Sequence, residues 1–311
     1  MEKIPLIVIA GPTASGKTAL SISLAEKFNG EIVSADSMQI YRWMDIGTAK
    51  PTEQEKAGIP HHLMDFVDPR ESFSVADYVG MAHNIIADIR SRGKLPIVVG
   101  GTGLYIDSLI RDVDFRRDDG NPALRRALLD KAAREGAQAL FAELEEIDPV
   151  SAGRIPRQNI RRVARAIEFY QVTGMPISAH QAQTREKESR YTPLLFALRW
   201  DRQTLYRRIE ARVDQMVNEG LFQEVERLWA MGCRKGMGSM QGIGYRQVLN
   251  YRAGLSTRLE TIRLIKRDSR RYAKRQMTWF SRYPDMIWLD PEQDPQKQAE
   301  DIIKKIFSGN L

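Results

Sequence analysis

The 311-residue sequence contains a single cysteine, Cys233, which excludes a disulfide framework within the chain and a zinc site built from cysteines. A reducing, cytoplasmic setting is therefore expected. The sequence has no low-complexity tract. Its first apolar run is too short to cross a membrane and lacks a signal-peptide cleavage pattern. With 42% hydrophobic and 28% charged residues, the composition is that of a soluble globular protein with room for one sizeable domain and a second one or a large insertion.

The most informative segment is GPTASGKT at residues 11–18, which matches the phosphate-binding P-loop pattern at every fixed position. The apolar run 4–10 before it is typical of a buried parallel strand, and residues 19–28 have the apolar spacing of a helix. Backbone N–H groups of such a turn and the positive end of the helix converge on a phosphate. Lys17 would add a positive charge, and Thr18 a hydroxyl ligand for Mg²⁺. The pattern predicts a phosphorylated substrate.

Strand and helix signals alternate in the first part of the chain, which predicts an α/β fold of the P-loop NTPase type, with a parallel sheet and flanking helices. Strands are predicted at 4–10, 31–34, 96–99, 194–198 and 286–289. Helices are predicted at 19–28, 75–92, 202–219, 221–231, 239–251, 257–281 and 296–307. Between 115 and 190 the strand signals vanish and polar helices take over, as at 122–134 and 138–146. A helical insertion at 115–190 is therefore expected within a core formed by 1–114 and 191–311.

Functional side chains are expected where three predicted strands end, because ligands bind at that edge of open α/β sheets. The P-loop ends the first strand, Asp36 follows the second, and a Gly-Gly-Thr-Gly turn containing Thr102 ends the third. The third strand lacks the metal-holding Asp that most P-loop hydrolases carry. Asp36 is expected to act as a general base or orienter for an incoming nucleophile, the alternative being an N-cap for the following turn. Thr102 would hydrogen-bond a ligand or cap the next helix.

The net charge of the chain is a modest +7, but its basic residues are concentrated in two segments. Residues 252–282 contain ten basic and two acidic residues, a net charge of +8, and residues 154–165 contain five arginines. Two such clusters beside a P-loop favour a nucleic acid over the alternative of solvated helix faces. The glycine-punctuated segment 241–246 is suited to contacts with RNA, the alternative being an ordinary helix N-terminus. The adjacent pair His61 and His62 is interpreted as structural because no further metal ligand lies at a suitable spacing.

Several strings occur together in a characteristic order: GPTASGKT at 11–18, DSMQIY at 36–41, DIGTAKP at 45–51, GGTGLY at 100–105, GIGYR at 242–246 and KRQMTW at 274–279. In this combination, and over nearly all of its length, the sequence closely resembles the bacterial tRNA dimethylallyltransferases, the tRNA isopentenyltransferases of the MiaA type. The zinc finger at the C-terminus of eukaryotic members has no counterpart in a sequence with one cysteine, as expected for a bacterial form.

The resemblance implies transfer of a dimethylallyl group from dimethylallyl diphosphate to N6 of adenosine 37 in the tRNA anticodon loop, with Mg²⁺ as the cofactor. It implies that the catalytic residues are Asp36, Lys17, Thr18, Thr102 and Arg212. The diphosphate would be bound by Gly11, Thr13, Ala14, Ser15, Gly16, Lys17, Thr18, Arg208 and Arg212, and Mg²⁺ by Thr18. Contacts with tRNA are implied for Asp36, Ser37, Met38, Gln39, Thr102, Arg161, Arg162, Arg165, Gln241, Gly242, Gly244, Tyr245, Arg246, Lys274 and Arg275. A monomer that binds the anticodon stem-loop and no membrane is expected.

Two other functions are compatible with a P-loop. A small-molecule kinase of the nucleoside-monophosphate or shikimate type shares the P-loop and the acid on the second strand, but it predicts a short arginine-rich lid and no large basic surface. An RNA-binding ATPase predicts a metal-holding Asp at the end of a core strand, which the third strand lacks. The net charge of +8 in residues 252–282 argues against the kinase.

Overall fold

The computed structural model describes residues 3–113, 115, 120–186 and 188–307. The chain divides into two compact units, Met1–Ile110 with Arg190–Leu311, and Arg111–Ser189. The second of these units spans 111–189, and the predicted insertion spans 115–190. Positions 1, 2, 114, 116–119, 187 and 308–311 of the predicted ranges lie outside the described residues.

A parallel sheet forms the centre of the first unit, with six strands in the order β3-β2-β4-β1-β5-β6 among the described residues. The strands are β1 Ile4–Ala10, β2 Gly30–Ser34, β3 His61–His62, β4 Leu95–Gly100, β5 Tyr191–Leu198 and β6 Ile287–Leu289. In the centre, Ile9 of β1 lies opposite Val99 of β4 and Phe196 of β5. Residues 6–10 are fully buried, as expected for a strand covered on both faces, and this explains the uninterrupted apolar run. The predicted P-loop-type α/β fold is confirmed.

Helices make up most of the rest of the described chain. In order they are α1 Lys17–Lys27, α2 Glu53–Lys56, α3 Val75–Ser91, α4 Gly103–Ile110, α5 Pro122–Glu135, α6 Ala137–Ile147, α7 Pro149–Ala152, α8 Ile160–Thr173, α9 Ile177–Glu186, α10 Arg202–Glu219, α11 Leu221–Ala230, α12 Tyr245–Arg252, α13 Arg258–Phe280 and α14 Pro295–Phe307. None of the described helices is long and apolar enough to cross a membrane.

Each unit has its own apolar core. In the first unit, one cluster packs α1 and α14 against the sheet around Leu24 and Phe196. A second cluster packs α10, α11, α12 and α13 together with the segment after β2, around Met44 and Val225. In the second unit, α5, α6 and α8 enclose a separate core around Leu144, which is fully buried. The second cluster holds α10, α11, α12 and α13 against the segment that follows β2.

One predicted helix is wrong. The segment 239–251 forms a short 3₁₀ turn at Ser239–Gln241, and α12 starts only at Tyr245. Gly244 has a φ of 95°, which lies outside the helical region and separates the two pieces. The sequence patterns also missed β3 and α2, which are only two and four residues long. The histidine pair forms β3, and His62 Nε2 lies 2.8 Å from a Glu31 carboxylate oxygen, which agrees with its structural interpretation.

The strand order brings the functional loops together. The carboxyl ends of β2, β4, β1 and β5 lie side by side, so the loops that follow these strands meet at one edge of the sheet. Gly100, at the end of β4, allows the closest approach, since a Cβ atom there would lie 2.1 Å from the carbonyl oxygen of Ala35. The loop after β4 is thereby packed directly against the residue that precedes Asp36.

Candidate active site

The P-loop connects β1 to the first turn of α1 as a tight turn. Gly11 and Gly16 have φ values of 134° and 102°, which residues with a Cβ rarely adopt. Helix α1 begins at Lys17, so its free N–H groups and the positive end of its dipole face the loop. The Lys17 ammonium donates a hydrogen bond to the carbonyl oxygen of Pro12 at 2.6 Å. The turn is therefore arranged to receive an anion.

Lys17 has unusual electrostatics for a lysine. Burial lowers the pKa of its ammonium from 10.5 to about 8, the negative charge of Asp36 opposes this shift, and the positive charge of Arg212 adds to it. The P-loop lysine, the acid after β2 and an arginine of α10 thus lie close enough to influence one another. A bound anion would restore the usual pKa of Lys17 by supplying negative charge.

Asp36 and Thr102 organise the turn after β2. Asp36 Oδ1 accepts hydrogen bonds from the backbone N–H groups of Met38 at 2.9 Å and Gln39 at 3.4 Å. Thr102 Oγ1 accepts a hydrogen bond from the backbone N–H of Ser37 at 2.9 Å. Asp36 therefore stabilises the turn, as the alternative interpretation of the sequence suggested, but only through one oxygen. Among the described residues Oδ2 has no hydrogen-bond partner, so it is available to a ligand.

The residues after Asp36 also have packing roles. The side-chain amide of Gln39 donates to the carbonyl oxygens of Thr48 at 3.1 Å and Ala49 at 3.2 Å, which holds the segment after β2 in place. Met38 packs on Gly242, where a Cβ atom would lie 2.6 Å from the Met38 methyl carbon. Both residues still line the cavity, although their backbone N–H groups are bound to Asp36 and their carbonyl oxygens accept from Tyr41 and Asp65.

Helix α10 supplies the two predicted arginines one turn apart. Arg208 Nε donates to the carbonyl oxygen of Ala14 at 2.8 Å, and its guanidinium stacks on the ring of Trp200 at 4.4 Å. The indole N–H of Trp200 in turn donates to the carbonyl oxygen of Ser15 at 2.8 Å. Burial lowers the pKa of Arg212, which remains a cation because an arginine pKa starts above 12. The structure thus places both arginines next to the P-loop.

These elements surround one cavity of about 400 Å³. The predicted site residues that line it are Thr13, Lys17, Thr18, Asp36, Ser37, Met38, Gln39, Arg212, Gln241, Gly242, Gly244, Arg246 and Arg275. An apolar wall is added by residues such as Ile209, Val213, Met216, Ile243 and Ile265. Asp36 is the only acidic residue that lines the cavity in the described part of the chain. The cavity has a cationic and polar end at the P-loop and an apolar side along α10.

The other predicted residues lie behind or outside this lining. Gly11, Ala14, Ser15 and Gly16 form the body of the P-loop, Thr102 lies behind Ser37, and Arg208 lies behind Ala14. Ser15 is 1% exposed, and its hydroxyl has no hydrogen-bond partner among the described residues.

Tyr245 departs from the prediction that its side chain contacts tRNA. It is 1% exposed, its hydroxyl donates to Glu224 at 2.6 Å, and its ring fills the space that a Cβ atom of Gly47 would occupy. The Glu224 carboxylate also accepts the backbone N–H groups of residues 45–47 at 2.8–3.0 Å. Tyr245 therefore anchors a cavity-lining loop, and its ring is not available to RNA.

The basic clusters carry less free charge than the sequence suggests. In α8 of the second unit, Arg161 and Arg162 are exposed, whereas Arg165 pairs with the buried Glu168 at 2.9 Å. In α13 and its surroundings several cations are paired with carboxylates: Lys266 with Asp214, Arg270 with Glu210, and Arg246 and Arg267 with Asp268. Lys274 and Arg275 are exposed and form no ion pair among the described residues. The same holds for Arg263 and Arg271, so unpaired charge is distributed along α13.

The sequence patterns missed two site residues on α13. Tyr272 lines the cavity, where burial, followed by the negative charge of Asp36, raises the pKa of its hydroxyl to about 12. Gln276 is 6% exposed and contacts both the P-loop and the loop after β4. The signal that could have found them is the spacing of Ile265, Ser269, Tyr272 and Gln276, which forms an uncharged stripe on an otherwise basic helix.

No cluster of three or more His, Cys, Asp or Glu side chains that could hold a metal ion occurs in the described part of the chain. A cation at this site would therefore have few protein ligands, such as the hydroxyl of the exposed residue Thr18, and would take others from oxygens of the bound ligand. Mg²⁺ is suited to such a site because it retains waters and takes ligands from substrate phosphates.

Comparisons with known proteins agree with this architecture. The family model described as IPP transferase matches residues 39–283, and that described as isopentenyl transferase matches residues 4–65. A tRNA dimethylallyltransferase of Acetivibrio thermocellus is 49% identical over 97% of this chain and 96% of its own length. One from Bacillus subtilis is 46% identical, with 99% and 98% covered.

Solved structures give the same result. The tRNA isopentenylpyrophosphate transferase from Bacillus halodurans has a TM-score of 0.73 and 43% identity, covering 98% of this chain and 96% of that one. A eukaryotic dimethylallyltransferase acting on tRNA has a TM-score of 0.86 and 32% identity, covering 99% of this chain and 80% of that one.

Proposed function

The chain belongs to the tRNA dimethylallyltransferase family, and from this premise we propose that it transfers a dimethylallyl group from dimethylallyl diphosphate to N6 of adenosine 37 in the tRNA anticodon loop. The observation that carries the proposal is the pairing, in one cavity, of a P-loop with a single acid, Asp36, which has a free carboxylate oxygen. A small-molecule kinase, the alternative compatible with a P-loop, is not favoured by the family relationship.

The donor diphosphate would bind in the P-loop. The N–H groups at the start of α1, together with Lys17 and Arg212, would stabilise the negative charge that develops on the diphosphate as the C1–O bond breaks. The dimethylallyl group would lie along the apolar wall of α10, against Val213 and Met216. Mg²⁺, held by the Thr18 hydroxyl and the diphosphate oxygens, would supply further positive charge at the leaving group.

The acceptor adenine would enter from the side of Asp36. A base within an anticodon loop reaches such a pocket by turning out of its stack. Its N6 lone pair would form the new bond to C1, the electron pair of the C1–O bond would leave with diphosphate, and an N6 proton would pass to Asp36 Oδ2. Because an aromatic amine is a weak nucleophile, fixing N6 in line with C1 matters as much as removing its proton. Thr102, through its bond to Ser37, would keep Asp36 oriented.

Basic residues of both units would bind the anticodon stem-loop. Arg246 and Arg275 lie at the cavity, and Lys274 is exposed beside them on α13. Arg161 and Arg162, on α8 of the helical insertion, are further candidates for phosphate contacts. Phosphate contacts of this kind are expected to give tRNA binding a strong salt dependence. We expect the enzyme to act as a cytoplasmic monomer.

The direct test is to incubate the protein with unmodified tRNA, dimethylallyl diphosphate and Mg²⁺, then digest the tRNA and measure prenylated adenosine by mass spectrometry. A tRNA that differs only by guanosine at position 37 is the matched control and should give no product. Absence of product with the adenosine 37 tRNA, together with ATP turnover on a small acceptor, would refute the transferase proposal in favour of a kinase.

A further inference from the structure

Gln276 of α13 joins two loops that follow different strands. Its side-chain nitrogen donates to the carbonyl oxygen of Gly101, after β4, at 2.8 Å. Its side-chain oxygen accepts the backbone N–H of Thr13, in the P-loop after β1, at 3.3 Å. Gln276 is 6% exposed, and its bond to Gly101 is buried, whereas the longer bond from Thr13 is partly buried. One amide group therefore ties the P-loop to the Gly-Gly-Thr-Gly loop.

The loop after β4 is shaped to receive this contact. A Cβ atom on Gly101 would lie 2.2 Å from the Gln276 nitrogen, and one on Gly103 would lie 2.5 Å from the ring of Trp279. Gln276 and Trp279 are three residues apart on α13 and so lie on the same face. Two glycines thus let the loop approach α13 more closely than any other residue type would allow.

The same loop holds the residues on both sides of Asp36. The backbone N–H of Thr102 donates to the carbonyl oxygen of Ala35 at 3.1 Å, and its hydroxyl accepts the N–H of Ser37 at 2.9 Å. A movement of this loop would therefore move the Asp36 carboxylate. Through Gln276, the position of Asp36 is connected to the position of the P-loop.

We propose that Gln276 is a positioning residue that fixes the distance between the donor and the acceptor in the transfer reaction. The inference rests on the proposed function, in which the P-loop holds the diphosphate and Asp36 receives the adenine amine. Gln276 lines the cavity, and its amide nitrogen and oxygen each hold one of the two loops, so in this proposal its effect is exerted through the loops. Bond formation between C1 and N6 requires these atoms in a narrow range of separation and alignment, whereas binding of either substrate alone does not.

The test compares Gln276→Met with the wild-type enzyme. Methionine has a similar length and volume and remains compatible with the helix, but it removes both hydrogen bonds. Gly101→Ala perturbs the same contact from the loop side. Thr278→Ala is the matched control on α13, because the Thr278 side chain is exposed and its hydroxyl donates to Lys274 of its own helix. For each variant, kcat, the KM of both substrates, the Kd for tRNA, the Kd for pyrophosphate and the melting temperature are measured.

We expect kcat to fall about 10- to 100-fold in Gln276→Met and Gly101→Ala, since a displacement of about 1 Å is enough for such a loss. Both KM values and both dissociation constants should stay within about threefold of wild type, and Thr278→Ala should behave as wild type. A loss of kcat without a loss of affinity distinguishes a positioning role from general support of the fold. Loss of support for the fold would weaken the binding of tRNA and pyrophosphate as well. A kcat close to wild type in Gln276→Met, or a parallel loss of kcat and of both affinities, would overturn the proposed role of Gln276 alone. Absence of product with the wild-type enzyme would overturn both proposals.

Discussion

Deprotonation of Lys17 should weaken diphosphate binding at a pH well below that at which an ordinary lysine loses its charge. Burial lowers the pKa of this ammonium from 10.5 to about 8 in the ligand-free protein, with Arg212 adding to the shift and Asp36 opposing it. The charged form therefore predominates below pH 8 and is lost above it. A bound diphosphate brings negative charge beside the ammonium and raises its pKa again, so binding is coupled to proton uptake above pH 8.

The size of the effect follows from this coupling. Below pH 8 Lys17 is already protonated in the ligand-free protein. In that range the affinity for the diphosphate therefore does not change with pH on account of Lys17. Between pH 8 and the higher pKa of the bound state, each pH unit weakens binding about tenfold, or about 1.4 kcal/mol. At pH 9 the dissociation constant should therefore be about tenfold larger than at pH 7.

The assay is calorimetric titration with a non-reactive dimethylallyl diphosphate analogue at constant ionic strength, from about pH 7 to about pH 9.5. Phosphate esters complete their last ionisation near pH 6, so the ligand does not titrate in this range. Lys17→Arg is the control, because a guanidinium stays charged throughout. An affinity that is constant up to pH 9.5 in the wild type, or an equal decline in Lys17→Arg, would refute the reasoning.

Three further outcomes are expected. Asp36→Asn keeps an oxygen to cap the turn but removes the charge, so kcat should fall about 10²- to 10⁴-fold with little change in the Kd for tRNA, and a collapse of tRNA affinity instead would show that Asp36 only positions the RNA. Gly47→Ala places a Cβ atom 2.5 Å from the Tyr245 ring and should lower the free energy of unfolding by about 1–3 kcal/mol in urea titrations, an unchanged midpoint being the contrary result. Charge reversal at Lys274 or Arg275 should weaken tRNA binding and reduce the slope of log Kd against log salt by about one or two, whereas an unchanged slope would mean that the side chain does not contact phosphates.

The sheet and the P-loop could be predicted because their signals are local. A continuous apolar run, a glycine-rich turn and an amphipathic helix each depend on neighbouring residues, and the edge at which Asp36 and Thr102 meet follows from parallel topology. The broken helix at 239–251 could not be recognised from composition, since its interruption depends on the backbone conformation of Gly244. Elements as short as β3 form through pairing with β2, which a local pattern does not contain.

Local sequence patterns could not predict the contacts that organise the site. Gln276 follows Gly101 by 175 residues and Thr13 by 263, so its role appears only when the loops are brought together. Tyr245 is a residue for which a local pattern wrongly suggested a functional contact. Its polar, glycine-rich neighbours suggested contact with RNA, but its hydroxyl donates to Glu224 and its ring is buried in the core. A tyrosine or a glutamine can either support the fold or contact a ligand, and its burial in the folded protein determines which role it has.

Helix α10 sets the distance between the side chain that would bind the diphosphate of the donor and the side chains that would contact its hydrocarbon group. Each residue of a helix advances about 1.5 Å and turns about 100°, so the offset from Arg212 at the charged end of the cavity to Met216 on its apolar side is about 6 Å along the axis. Inserting one residue after Arg212 would leave the arginine in place and rotate Val213 and Met216 out of the cavity. The backbone hydrogen bonds of α10 thus set this spacing. Insertions and deletions in the protein sequence can be accommodated in the loops beside α10 but not within the helix.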